Sequence, residues 1–134
     1  MRTCTLLIIL LLCHFHSFGW GFYGHRQINR HAVFLLPPEM MVLYKPQIGF
    51  LTEHAIDPDK RRYIVAEEGA RHYIDIDHYG AYPYPLLPRR YKEAEEKFSR
   101  DSLLAHGIVP WHIQTMLNRL TDAFRKKDFS RIMK

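Results

Sequence analysis

Three features of the sequence predict an all-α fold. Apolar residues recur at helical spacing, prolines and glycines stand where helices begin and end, and no run reads as a confident strand. From Gly24 to Leu36, Ile28, Ala32, Leu35 and Leu36 fall at i, i+4, i+7 and i+8, one helix face, with His25 three residues before Ile28 on the same predicted buried side. Pro37-Pro38 ends this helix and opens the next, since proline lacks an N–H and its φ already suits a first turn. Glu39 to Tyr44 and Pro46 to His54 read as two short helices broken at Pro46. Asp57 to Arg62 is a charged turn, and Glu67 to His78 is expected to be helical despite its Tyr, Ile and Asp content. Gly80 to Pro88 holds one glycine and three prolines and is a loop. Arg89 to Phe98 and Arg100 to His106 read as surface helices, with Gly107 the stop of the second. Pro110 opens the clearest helix, whose apolar stripe is Ile113, Met116, Leu117, Leu120 and Phe124. Asp128 is the expected N-cap of a last short helix.

Residues 1–19 have the layout of a secretory signal peptide. Met1-Arg2 is a positive start, Leu6 to Leu12 is an unbroken aliphatic run, and Ser17 and Gly19 are the small residues before a cut at Trp20. The apolar run is shorter than the roughly 20 residues a spanning helix takes. The chain is therefore expected to be exported, periplasmic or secreted, with residues 20–134 as one mature domain. Both cysteines, Cys4 and Cys13, fall in the leader, so the mature chain has no disulfide to rely on and must be held by packing. The formal charge of +5 drops to +4 when Arg2 leaves with the leader, and the sequence pI is about 9.3. A basic balance favours phosphate esters, nucleic acid or membrane surfaces as partners, although the charges are not gathered into one block.

Four residues carry possible metal chemistry. A cut at Gly19 frees the amine of Trp20, and an α-amino group with a pKa of about 7.7–8.0 is partly neutral at neutral pH. A neutral amine and its own carbonyl oxygen can chelate one cation, and His25 lies five residues on. Asp57 and His72 are a carboxylate and an imidazole, both good zinc donors, with Asp59 a second choice for the carboxylate. Read singly, each has a plainer role: His25 a core histidine, Asp57 a turn cap before Pro58, His72 and Asp75 an i,i+3 surface pair.

Taken together, Trp20-Gly-Phe-Tyr-Gly-His25, Asp57 and His72-Tyr-Ile-Asp75 resemble the zinc-dependent phospholipase C and S1/P1 nuclease superfamily. The segments DPDKRRY, PPEM and GIVPWHI are similar to a bacterial branch of it, and the likeness runs through the mature N-terminal half of that family. It implies an all-α domain with a cleft for three zinc ions and metal-assisted phosphodiester hydrolysis; no stable protein partner is implied, and a monomer is expected. It also implies that Trp20 and His25 hold one zinc and that Asp57 and His72 hold another, Asp57 having the better spacing to His72 than Asp59. The family's further ligands belong to His-x-x-x-Asp and His-x-x-x-Asp/Glu segments that do not occur before Lys134; His112 has Met116, not a carboxylate, four residues on. The sequence is therefore expected to be an incomplete, inactive N-terminal fragment of such an enzyme.

The substrate expected first is a phospholipid, with Phe22-Tyr23 or Tyr82 to Leu87 as an apolar rim. Single-stranded nucleic acid is the alternative, with Tyr73 stacking on a base. A reading from another class is an exported basic helical binding module without catalysis. Arg61-Arg62, Arg89-Arg90 and Arg125-Lys126-Lys127 would be its contacts, and a chelator would leave its binding intact. With two protein donors at the Asp57–His72 centre where a closed zinc site uses about four, the refolded chain from Trp20 onward should return substoichiometric zinc on metal analysis. Tight stoichiometric zinc would overturn that expectation.

Overall fold

The computed structural model describes residues 21–133. The leader, its expected cleavage point and the Trp20 ligand lie outside the described residues, as does Lys134. All regular secondary structure among the described residues is helical and there is no strand, as the sequence predicts. The chain divides into two compact units that meet in sequence at Ile56 and Asp57.

The first unit contains α1 (Gly21–Ala32), α2 (Pro38–Tyr44) and α3 (Ile48–His54), with 3-10 turns at Val33–Leu35 and Lys45–Gln47. Pro38 stands at the start of α2, where its missing N–H costs nothing. α1 lies against α3, held by Asn29 Nδ2 donating to the Leu51 carbonyl at 3.4 Å and by an Arg26–Glu53 ion pair at 3.6 Å. The predicted apolar face of α1 is not the buried one. Ile28 and Leu35 are exposed, while Val33 is buried and the residues from Gly24 to Gln27 are half-buried. The helix tightens to 3-10 geometry after Ala32, so the i, i+4, i+7 register ends there and Val33 turns inward.

The second unit begins with α4 (Asp57–Arg61), a short helix where the sequence suggested a turn. The helix expected from Glu67 to His78 is broken: Ala66–His72 and Ile76–Tyr79 are 3-10 turns, and Tyr73 between them is extended, with φ −146° and ψ 173°. The reason is backbone pairing with a distant segment. Ile108 N donates to the Ala70 carbonyl at 2.7 Å, Val109 N to Tyr73 at 3.2 Å, and Asp75 N to His106 at 2.7 Å. Groups spent on these bonds are not available to a continuous helix.

The remaining elements are α5 (Tyr91–Phe98), α6 (Arg100–His106), α7 (Val109–Arg125) and α8 (Phe129–Ile132). Tyr79, Ala94, Leu103 and Trp111 form the buried core, with Ile74, Leu87, Tyr91, Phe98 and Ile108 packed on it. Tyr79 meets Phe98 and Trp111 edge-to-face, at 5.0 and 6.0 Å between ring centres, an arrangement the ring quadrupoles favour. Ser99 Oγ accepts from Ser102 N at the start of α6, and Asp128 caps α8 by accepting from Arg131 N at 3.2 Å. Along α7, Trp111 and Ala123 are the buried residues; Ile113, Met116 and Leu117 of the apolar stripe are exposed.

Gly107 stops α6 as predicted, with φ +87°, a conformation that side chains rarely adopt. A Cβ there would also run into the backbone carbonyl of Tyr73. Strain at positive φ costs about 1–3 kcal/mol and overpacking about as much again, so Gly107→Ala should lose about 3 kcal/mol or more in urea unfolding. A loss below about 1 kcal/mol, the lower bound of positive-φ strain alone, would show that the segments separate easily.

Candidate functional site

The most constrained polar group in the second unit is Glu68, which is 1% exposed. A carboxylate removed from water must be paired, and Glu68 is paired twice. Arg61 Nη2 from α4 reaches Oε1 at 3.2 Å, and Arg71 Nη1, one 3-10 turn on, donates to Oε2. The guanidiniums are themselves partly exposed, so the carboxylate is roofed by arginine side chains. Burial opposes its ionisation, but the hydrogen bonds and charges of Arg61 and Arg71 outweigh it and hold the Glu68 carboxyl below its ordinary range.

His72 sits against this clamp. Its Nε2 is 3.8 Å from Glu68 Oε1, and its Nδ1 is 3.4 Å from Asp59 Oδ1. Both His72 and Asp59 are about one-fifth exposed, so the pair is sheltered but reachable. His112, in the first turn of α7, belongs to the same neighbourhood. Desolvation, then the nearby Arg71, Arg119 and His72, push its imidazole below the ordinary histidine value, against the opposing pull of Glu68. Two carboxylates, two imidazoles and three guanidiniums thus gather from α4, the Ala66–His72 turn and α7.

The residues singled out from the sequence fall as follows. Asp59, ranked behind Asp57 on spacing, is the carboxylate beside His72. Asp57 lies two residues earlier in α4, 3.7 Å from Lys60 Nζ. Asp75 faces His106 Nδ1 at 3.5 Å, not His72, and His106 stacks on His78 with 3.4 Å between ring centres. Tyr73 is 39% exposed, and its hydroxyl donates to the Ala105 carbonyl at 2.9 Å. His25 is half-buried in the second turn of α1, in the first unit. Sequence reasoning did not find Glu68 or the nearness of His112; a lone Glu in a charged stretch carries no signal until its exposure is known.

Comparison with models of known protein families, with curated proteins and with solved structures finds no match.

A zinc centre needs three or four converging donors. No group of three or more His, Cys, Asp or Glu side chains placed to hold a metal occurs among the described residues. Asp59 and His72 offer two donors, while Glu68 is committed to its arginines. The described residues do not by themselves make a complete zinc centre.

Glu68 and His112 both bind protons less readily in the folded chain than their ordinary values, so acid favours unfolding at each. His112 contributes stability that is lost as pH falls below the ordinary histidine range. Glu68 contributes stability that is full above the ordinary carboxylate range and lost as pH falls through its lowered native value. Urea midpoints measured against pH should therefore fall in two stages, with His112→Gln removing the upper and Glu68→Gln the lower. Glu68→Gln should also cost about 1–3 kcal/mol at neutral pH, since it leaves charged arginines without their partner.

Proposed function

We propose that this chain belongs to a zinc-dependent hydrolase of phosphoester bonds, phospholipase C-like in its substrate. The observation that carries the reading is the placement of Asp59 and His72 side by side, with Asp57 in the same short helix. Carboxylates and an imidazole are the donor types zinc takes, and Asp59 on Nδ1 is the kind of supporting carboxylate that orients a histidine ligand. As the resemblance implies, Trp20 and His25 would serve one ion and Asp57 and His72 another. Zinc, when bound, supplies acidified water and neutralises charge on phosphoryl oxygens.

The chain's own residues prepare His72 for such a role. Asp59 stands where it can accept a hydrogen bond from His72 Nδ1, and Nε2 lies 3.8 Å from Glu68 Oε1, so the ring is held between two carboxylates. The Glu68 clamp ties α4 to the Ala66–His72 turn, so Asp59 and His72 keep their spacing. The phospholipid substrate is favoured because Tyr82 and Leu86 of the expected apolar rim are strongly exposed, 85% and 61%.

The test uses the full-length protein. It should hydrolyse a chromogenic phosphodiester and phosphatidylcholine, lose both activities to a chelator, and regain them with zinc. His72→Ala should lower kcat/KM at least about a hundredfold, and Asp59→Asn by about 10- to 100-fold, the usual cost of losing a supporting carboxylate. Turnover indifferent to chelator and to His72→Ala would sink the proposal, and activity confined to single-stranded DNA would shift it to the nuclease alternative.

A further inference from the structure

We infer that α7 and the proline-rich loop packed on it form a docking face for an anionic phospholipid bilayer. The inference deepens the phospholipase reading, on which it rests, by naming the surface that meets the lipid.

The first observation is the apolar ridge of α7. Ile113 and Leu117 are 60% and 55% exposed, and Met116 is exposed beside them. They lie at i, i+3 and i+4, so they share one side of the helix. Trp111 is buried in the core and fixes the start of this helix, while Ala123, seven residues after Met116 and on its side, is buried near its end. The ridge is thus open over Ile113, Met116 and Leu117 and closes towards α8.

The second observation is a cavity of about 350 Å³ beside the ridge, between Leu87, Pro88 and Arg89 of the loop and Pro110, Trp111 and Gln114 of α7. Trp111 Nε1 donates to the Pro88 carbonyl at 3.1 Å, which holds loop and helix together. Leu86, next in the loop, is also strongly exposed. The lining is mixed, with Leu87, Pro88, Pro110 and Trp111 beside Arg89 and Gln114, a chemistry that suits a phosphate headgroup and the carbons next to it.

The third observation is charge. Exposed Arg89 lies at the cavity, exposed Arg119 is on α7, and exposed Lys126 and Lys127 follow its end, while Arg125 is paired at 3.6 Å with Asp122, the one acidic residue in α7. Apolar residues flanked by arginine and lysine are the composition of a helix that lies in a membrane interface. A second copy of the chain would bring the same positive charge to the contact. A nucleic acid would satisfy the cations but leave Ile113 and Leu117 in water. An anionic bilayer takes both, the ridge among the acyl carbons and the cations among the phosphates.

Vesicle flotation tests this with the chain itself, in the presence of a chelator so that no hydrolysis is required. Vesicles of phosphatidylcholine mixed with phosphatidylglycerol should bind the chain, and phosphatidylcholine alone should bind it at least about tenfold less. Added salt should weaken the binding. Ile113→Glu with Leu117→Glu should lower affinity at least about tenfold, and Arg89→Glu should lower it several-fold. Ile64→Glu, at an 87% exposed position outside the face, should leave it unchanged. Helicity measured by circular dichroism separates lost binding from lost folding, and the single variant Ile113→Glu serves if the double variant unfolds. Full binding by the folded variants, no binding to anionic vesicles, or a dimer that the double variant abolishes would each overturn the inference. Failure of the hydrolase reading would show instead as a lack of zinc-dependent turnover, with vesicle binding intact.

Discussion

The second unit depends on one close backbone approach. Gly107 passes so near the Tyr73 carbonyl that no side chain fits between them, and it turns there at positive φ. That approach lets Ile108 and Val109 donate to Ala70 and Tyr73 and lets Asp75 donate to His106. These bonds end one 3-10 turn and separate it from the next. They also put the start of α7 beside the Ala66–His72 turn, where His112 comes within electrostatic reach of Arg71 and His72. The Tyr79 hydroxyl, bonded to the Gly107 carbonyl at 3.3 Å, ties the same junction into the core.

Around this junction the unit uses apolar and charged contacts differently. The core is small and aromatic, and Tyr79, Trp111, Tyr91 and Phe98 supply most of its bulk. The charged clamp is peripheral, with Glu68 enclosed by two arginines that still touch water. Such a clamp adds little to stability when intact, because desolvation offsets much of the attraction, but it is costly to break on one side. Its effect is positional: it joins α4, which carries Asp57 and Asp59, to the turn that carries His72. A phosphoester hydrolase would need those side chains held at fixed spacing.

Much of the helical layout was legible in the sequence, and the reasons are local. Pro38 at a helix start, Gly107 at a stop and Asp128 at a cap each act through their own backbone or side chain within one turn. Where the reading failed, the cause was distant. Tyr73 is extended because residues more than thirty positions later take up its carbonyl. Asp75 pairs with His106, not with His72 three residues away, because the fold brings α6 to it. The periodic stripe on α7 showed that the helix is amphipathic, but it did not show that Ile113 and Leu117 face solvent, because periodicity reports a face and not its cover.

By itself, the sequence determined the all-α class, most helix limits and the basic character of the chain. Only the tertiary structure decided that Asp59 is the carboxylate beside His72, that Glu68 is buried between Arg61 and Arg71, and that α7 leaves its ridge exposed. The physical reason is range. Helix propensity, capping and proline sterics act over a few residues, whereas burial and ion pairing depend on which distant segments the close approach at Gly107 brings together.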